Sequence, residues 1–207
     1  MYSFLNILLI YFLAFFMTLP GSSWSTEYIK EVETHRKLLN KEYRKKETSP
    51  FKNDFDRRRF RRLNYFQVDT NYRVQAIFVK TEGGKILSFP TSAKKIKKYR
   101  DYGKLHFEIH GSKQVLHVYQ SMKLMEKEEY KDQLFLLFTD LTNGNETYGG
   151  GRYIDMEGPL SDTTMLDFNY VYNPYCAYSD GWNCPIPPKI NALNIRIEAG
   201  EKMYGLH

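Results

Sequence analysis

From Tyr72 onward, apolar and polar residues alternate along much of the chain with a period of two, the pattern of strands that bury one face. Residues 73–80, 85–89, 104–110, 114–120, 133–138, 153–156, 164–168 and 194–198 carry it, about eight strands in all. Glu82-Gly-Gly and Gly111-Ser112 sit where hairpin turns are needed. Residues 122–130 read as a helical or loop excursion. Upstream, Tyr28, Val32, Leu38, Leu39 and Tyr43 form a broken apolar stripe at helical spacing, which predicts a helix over residues 26–46. Ser49-Pro50 stops it. Hairpins link the strands and no helices alternate with them, so the expected fold is mainly β (α+β): an antiparallel barrel or sandwich with an N-terminal helical arm.

Residues 4–17 are almost uninterrupted apolar sequence, broken by Pro20 and Gly21, and Ser23-Trp24-Ser25 offers small residues at signal-peptidase spacing. The run is short for a spanning helix. Residues 1–25 are therefore read as a signal peptide, with export to the periplasm or cell envelope; an uncleaved membrane anchor is the alternative. The expected organisation is a signal peptide (1–25), a helical basic arm (26–62) and a β domain (63–207). Cys176 and Cys184, the two cysteines of the chain, are expected to pair across the Ser179-Asp180-Gly181 turn in such a compartment.

Composition is ordinary for a folded domain, with 42% hydrophobic and 26% charged residues, except for its 17 tyrosines. Tyr suits strands and also binding surfaces. The net charge of +6 is uneven. Residues 27–104 hold 22 basic and 10 acidic side chains, whereas residues 105–207 hold 8 and 14. No nucleic-acid recognition motif accompanies the charge, so no nucleic-acid partner is expected. The run Asp54-Phe-Asp-Arg-Arg-Arg-Phe-Arg-Arg62 supports two readings: contact with an anionic surface such as a membrane, or a helical turn that packs Phe55 and Phe60 while its arginines stay in water.

Two constellations carry candidate chemistry. His106, Glu108 and His110 share a strand face that His117 could join, but such spacing arises automatically on the wet face of a strand, and no metal is assigned. The segment from Asp140 to Glu201 is denser. Thr147-Tyr148-Gly149-Gly150-Gly151-Arg152-Tyr153 combines glycines able to turn N–H groups toward an anion with a guanidinium fork. Asp167, Asn169 and Asn173 either orient a ligand or cap turns. The usual nucleophile motifs are absent, and no cofactor is expected.

These residues resemble a bacterial family, domain of unknown function 1684. The likeness rests on Thr147–Tyr153, Asp167-Phe-Asn169, Asn173-Pro174, Cys176-Ala-Tyr178, Cys184-Pro185 with the following Pro187-Pro188, and Ala199-Gly-Glu-Lys202. Upstream it extends to Ser49-Pro-Phe51, Leu63-Asn-Tyr-Phe66, Tyr72-Arg-Val74, Lys98-Tyr-Arg100, Tyr102-Gly103 and Val118-Tyr-Gln120. One departure is Lys189-Ile-Asn-Ala-Leu193, where the family pattern runs Glu-Asn-Arg-Leu. The resemblance implies a domain extent and a site location, but no activity.

The expectation drawn from all this is an envelope binding domain for a small anionic or sugar-like ligand. Arg152, the amides of Gly149, Gly150 and Gly151, and Tyr148, Tyr153 and Tyr178 would hold the ligand, oriented by Asp167, Asn169 and Asn173. On this reading Arg152→Ala abolishes binding and barely moves the melting temperature. The alternatives are a hydrolase- or lyase-like enzyme using paired carboxylates among Asp140, Glu146 and Asp167, and a structural or interaction module. The binding reading requires the triple-glycine hairpin and the Pro/Cys-braced loop to enclose a polar hollow.

Overall fold

The computed structural model describes residues 21–205. Residues 4–17 and most of the expected signal peptide lie outside the described residues, while Ser23-Trp24-Ser25 falls within the first helix, α1 (Gly21–Glu42). That helix begins five residues before the predicted start and ends four before the predicted stop. Its stripe is anchored at Val32 and Tyr28, both buried, while Leu38 stays in solvent. Among the described residues no helix is long and apolar enough to cross a membrane.

A short helix, α2 (Asp54–Arg59), follows, capped by Asn53, whose side chain accepts from the Asp56 amide. Of the two phenylalanines expected to pack, Phe60 does and Phe55 does not, being 62% exposed. Phe60 joins Tyr43, Phe51, Leu63 and Tyr178 in a satellite core, so residues 26–62 are packed onto the domain.

The rest is one curled seven-stranded antiparallel sheet, a half-barrel. Its strands are β1 (Arg73–Lys80), β2 (Ile86–Pro90), β3 (Ile96–Ile109), β4 (Ser112–Ser121), β5 (Gln133–Phe138), β6 (Arg152–Glu157) and β7 (Thr163–Asp167). The order is β6-β5-β4-β3-β1-β7, with β2 beside the start of β3. The ends of this order, β6 and β7, are consecutive in the chain but do not hydrogen-bond to each other, so the curl stays open.

The sheet serves two cores. Its concave face packs Ala76, Leu105, Leu116, Leu136 and Leu166 against Phe168, Val171 and the C-terminal segment. Its other face carries Tyr99, Tyr119, Phe135, Leu137 and Tyr153 at one end and is exposed at the other, where Ile77, Val79 and Val115 meet solvent. A bulge between Asp101 and Gly103 makes this possible in β3. Tyr99 precedes it and Lys104 and His106 follow it, out of phase in sequence yet on the same face. Gly103 is required there: a Cβ would lie 2.4 Å from the Phe78 ring.

The predicted strand at 194–198 does not form. Its neighbour Leu193 donates to Thr139 O at 2.8 Å, and Leu141 donates to Ile195 O at 3.0 Å. Beyond that point the carbonyls of Ile197, Ala199 and Glu201 bond to the Arg152 guanidinium instead of a neighbouring strand. The alternation in sequence is real, since Leu193, Ile197 and Ala199 are buried, but a side chain replaces the ladder.

Candidate functional site

Gly151 and the 185–188 loop do fold toward each other, as the sequence-based expectation required. Gly151 takes φ +86°, and a Cβ there would lie 2.6 Å from both Phe138 O and Pro187 Cγ. At Gly151 the approach is close packing against Pro187. Arg152 points the opposite way, into the concave core, with no exposed surface. It donates to Asp140 Oδ2 at 2.8 Å, Ile197 O at 2.7 Å and Ala199 O at 2.6 Å. Burial lowers its pKa, and the Asp140 carboxylate acts against that shift. These contacts make it an internal strut joining β6 to the C-terminal segment.

The other expected site residues are scattered among structural roles. Asp167 caps the turn at Asn169 and accepts from the Tyr28 hydroxyl at 2.7 Å. Asn169 donates to Tyr28 and to Asp69 O, so this pair clasps α1 to the sheet. The Asn173 amide donates to Glu201 at 2.9 Å, and Tyr178 donates to the same carboxylate. Gly149 and Gly150 are exposed, while Tyr148 is half-buried and does not line the cavity described below. The three candidate carboxylates engage separate partners: Asp140 with Arg152, Glu146 with Arg196 and Asp167 with Tyr28. His106, Glu108 and His110 are exposed, and no group of three potential metal ligands gathers among the described residues.

Of the expected ligand residues, Tyr153 lines a cavity of about 680 Å³ on the second face of the sheet, while Tyr178 lies apart from it, in the wall of an arginine-rimmed basin beside α2. That volume suits a small-molecule site. Strand alternation builds the floor. Tyr153 and Asp155 on β6 point the same way as Phe135 on β5, and Tyr99 on β3 completes the surface. The rings lock one another: Phe135 and Tyr153 meet edge to face at 4.7 Å, and Tyr99 stacks on Phe135 at 6.0 Å. The roof comes from Leu39 of α1, from Tyr43 just after it, and from Tyr172, Tyr175 and Trp182 of the loop that follows β7.

The Cys176–Cys184 disulfide, expected from sequence, braces this roof with a Cα–Cα separation of 6.3 Å. Ser92, in the β2–β3 turn, stitches the loop to the sheet. Its Oγ donates to Trp182 O at 2.9 Å and accepts from the Cys184 amide at 3.1 Å. The Tyr153 hydroxyl donates to Pro185 O, so the floor also holds the roof's edge.

Aromatic and apolar side chains make up most of the lining, with polar groups set among them. Asp155 is the single acid among the described lining residues. Asp155 is exposed on the cavity side, but the protein crowded around its carboxyl still desolvates it and raises its pKa, against the opposing effect of the Tyr172 hydroxyl, which donates to it at 2.9 Å. Burial, reinforced by Asp155, pushes the Tyr99 phenol up to about 12 and Tyr172 further. Burial lowers Lys97 and His35 at the rim, helped by Lys123 and Arg36 respectively. Asn183 Oδ1 is buried in the wall with no hydrogen-bond partner in the protein.

Two acceptors set among aromatic rings thus define the site: a half-barrel with a ring-lined cavity on one sheet face. The sequence held part of this signal, since Tyr153 and Asp155 are two apart on a predicted strand. It held none for Tyr172, Trp182 or Asn183, which reach the cavity only through loop tracing.

The chain belongs to the family described as protein of unknown function (DUF1684), whose model matches residues 58–202. The matched span starts within α2 and leaves α1, part of the cavity roof, outside it. Among solved structures, the chain is similar to the uncharacterized protein from gene locus rrnAC0354 of Haloarcula marismortui, determined by solution NMR. The two are 30% identical, the match covers 90% of this chain and 100% of that one, and the TM-score is 0.68. No curated protein matches the chain.

Proposed function

We propose that this is a small-molecule binding domain and that the cavity above Tyr153 and Asp155 holds a hydroxylated ring of the carbohydrate class. The observation that carries the reading is the pairing of two hydrogen-bond acceptors, Asp155 and the unpartnered Asn183 Oδ1, with aromatic walls. Sugar rings present apolar C–H faces that stack on Tyr and Trp, and hydroxyls that donate to such acceptors. The acceptors favour a neutral donor-bearing ligand over an anion, which Asp155 would repel. The anionic part of the sequence-based expectation rested on Arg152, whose donors bind the protein's own carbonyls and Asp140.

The test is a panel of mono- and disaccharides titrated onto 15N-labelled protein. Shifts should cluster on Tyr153, Asp155, Tyr172 and Trp182. A ligand present at 100 times its Kd should stabilise the fold by about 2.7 kcal/mol. Asp155→Asn and Trp182→Ala should each weaken binding while the protein stays folded. A panel that leaves these resonances unmoved at millimolar concentration refutes the carbohydrate reading.

A further inference from the structure

The arginines of the 54–62 run are not consumed by the fold. Arg57 pairs with Asp54 at 2.8 Å, but Arg58, Arg59, Arg61 and Arg62 are exposed and have no carboxylate within ion-pair distance among the described residues. Three of them, Arg59, Arg61 and Arg62, rim a basin of about 1030 Å³ beside Asn64 and Tyr204, with Asp56 its one acid. Backbone contacts fix the arrangement. Arg44 donates to Arg61 O, and the Phe60 amide closes α2 by donating to Asp56 O at 3.0 Å, which sets the chain direction for the residues that follow.

A second, independent feature adjoins the basin. Phe55 is the most exposed phenylalanine of the described chain, at 62%, and the Arg59 guanidinium lies over its ring at 5.1 Å. Arg59 covers one face of the ring, and the rest of Phe55 stays in water beside the exposed Arg58, Arg61 and Arg62. This matches what a bilayer surface receives: a ring at the headgroup–acyl boundary and guanidinium forks on lipid phosphates. A soluble polyanion would use the arginines but not the ring.

We infer that α2 and the Arg59–Arg61–Arg62 basin form a docking site for a phosphate-bearing anionic lipid surface. It is separate from the aromatic cavity: no arginine of the run lines that cavity.

The experiment measures partition of the full chain onto phosphatidylcholine vesicles with and without one-third phosphatidylglycerol. The quantity read is the ratio of the two, which cancels any contribution of the apolar N-terminal run. Each arginine near an anionic leaflet contributes roughly fivefold. Arg59→Ala/Arg62→Ala should therefore lower the ratio about 25-fold. The charge-matched Lys85→Ala/Lys98→Ala should lower it far less, and Phe55→Ser should lower partition onto both vesicle types. Sodium phosphate titrated against the protein separates the sources of the anion. Saturable phosphate binding at the basin with a vesicle ratio near one overturns the lipid assignment, as does an equal loss in the two double variants.

Discussion

Glu201 offers the sharpest test of how this interior is built. It has no exposed surface and takes the Asn173 amide at 2.9 Å and the Tyr178 hydroxyl on its carboxylate. Those donors and the nearby Arg152 favour the charged form, yet burial outweighs them, and the carboxyl is pushed up from 4.5 to about 7. The sign follows directly. The folded protein keeps its proton to higher pH than the unfolded chain, so between pH 4.5 and 7 folding is linked to proton uptake. The stabilisation is complete below about 4.5, declines as pH rises through the folded value near 7, and is constant above it. The displacement corresponds to about 3 kcal/mol at roughly 1.4 kcal/mol per pH unit. Glu201→Gln cannot ionise and keeps one acceptor oxygen, enough for either Tyr178 or the Asn173 amide; the cost of losing the other is independent of pH and cancels when slopes are compared. Urea unfolding of both proteins at pH 5 and pH 8 should show the wild type losing about 2.5 kcal/mol relative to the variant across that interval, the rest of the displacement falling below pH 5. Taking the difference removes the contribution of Asp155, whose pKa is raised in the same sense and which both proteins share. Parallel stability–pH curves for the two proteins would show that Glu201 is charged and adequately solvated when folded, and would refute the reasoning.

Other perturbations test the internal strut and its surroundings. Arg152→Ala leaves Asp140 and three carbonyls without their donor and should cost about 3–5 kcal/mol by denaturant unfolding, where the sequence-based reading expected almost none. Gly151→Ala should lose at least about 1–2 kcal/mol for its positive φ, with a further loss from the contacts on Phe138 O and Pro187, read as a shift in urea midpoint. Cys176→Ser/Cys184→Ser should lower stability by about 2–3 kcal/mol on the loop-entropy account. The Trp182 fluorescence should report the loosened roof of that variant.

Much of the fold could be read from residue patterns because most strands have one wet face. β1, β2, β4, β5, β6 and β7 sit within two residues of their predicted spans, and β1 and β5 match in full. The first half of β3 was illegible because the bulge at Asp101–Gly103 shifts the alternation: residues 97–101 and 104–109 alternate in opposite phase, and only the second half stands out. The residues of the expected site are dispersed in the fold for a different reason. Gly, Arg, Asn and Asp crowded at 140–201 are the ingredients of a binding loop and equally of a buried polar network. Local sequence does not reveal that the guanidinium of Arg152 finds three carbonyls from residues 197–201. The cavity, conversely, draws on α1, four strands and two loops, and no short segment announces it.

The segment from Leu193 to Glu201 supplies Leu193, Ile197 and Ala199 to the main core, the carbonyls that satisfy Arg152, and the carboxylate that receives Tyr178. A ribosome delivers this stretch after every strand has been made. Until it emerges from the exit tunnel, the nascent sheet carries an open seam with a cation at its centre and has no competent interior. Folding is thereby deferred until residues 193–201 are available, and a chain halted before residue 193 would present chaperones and proteases with an unsealed sheet.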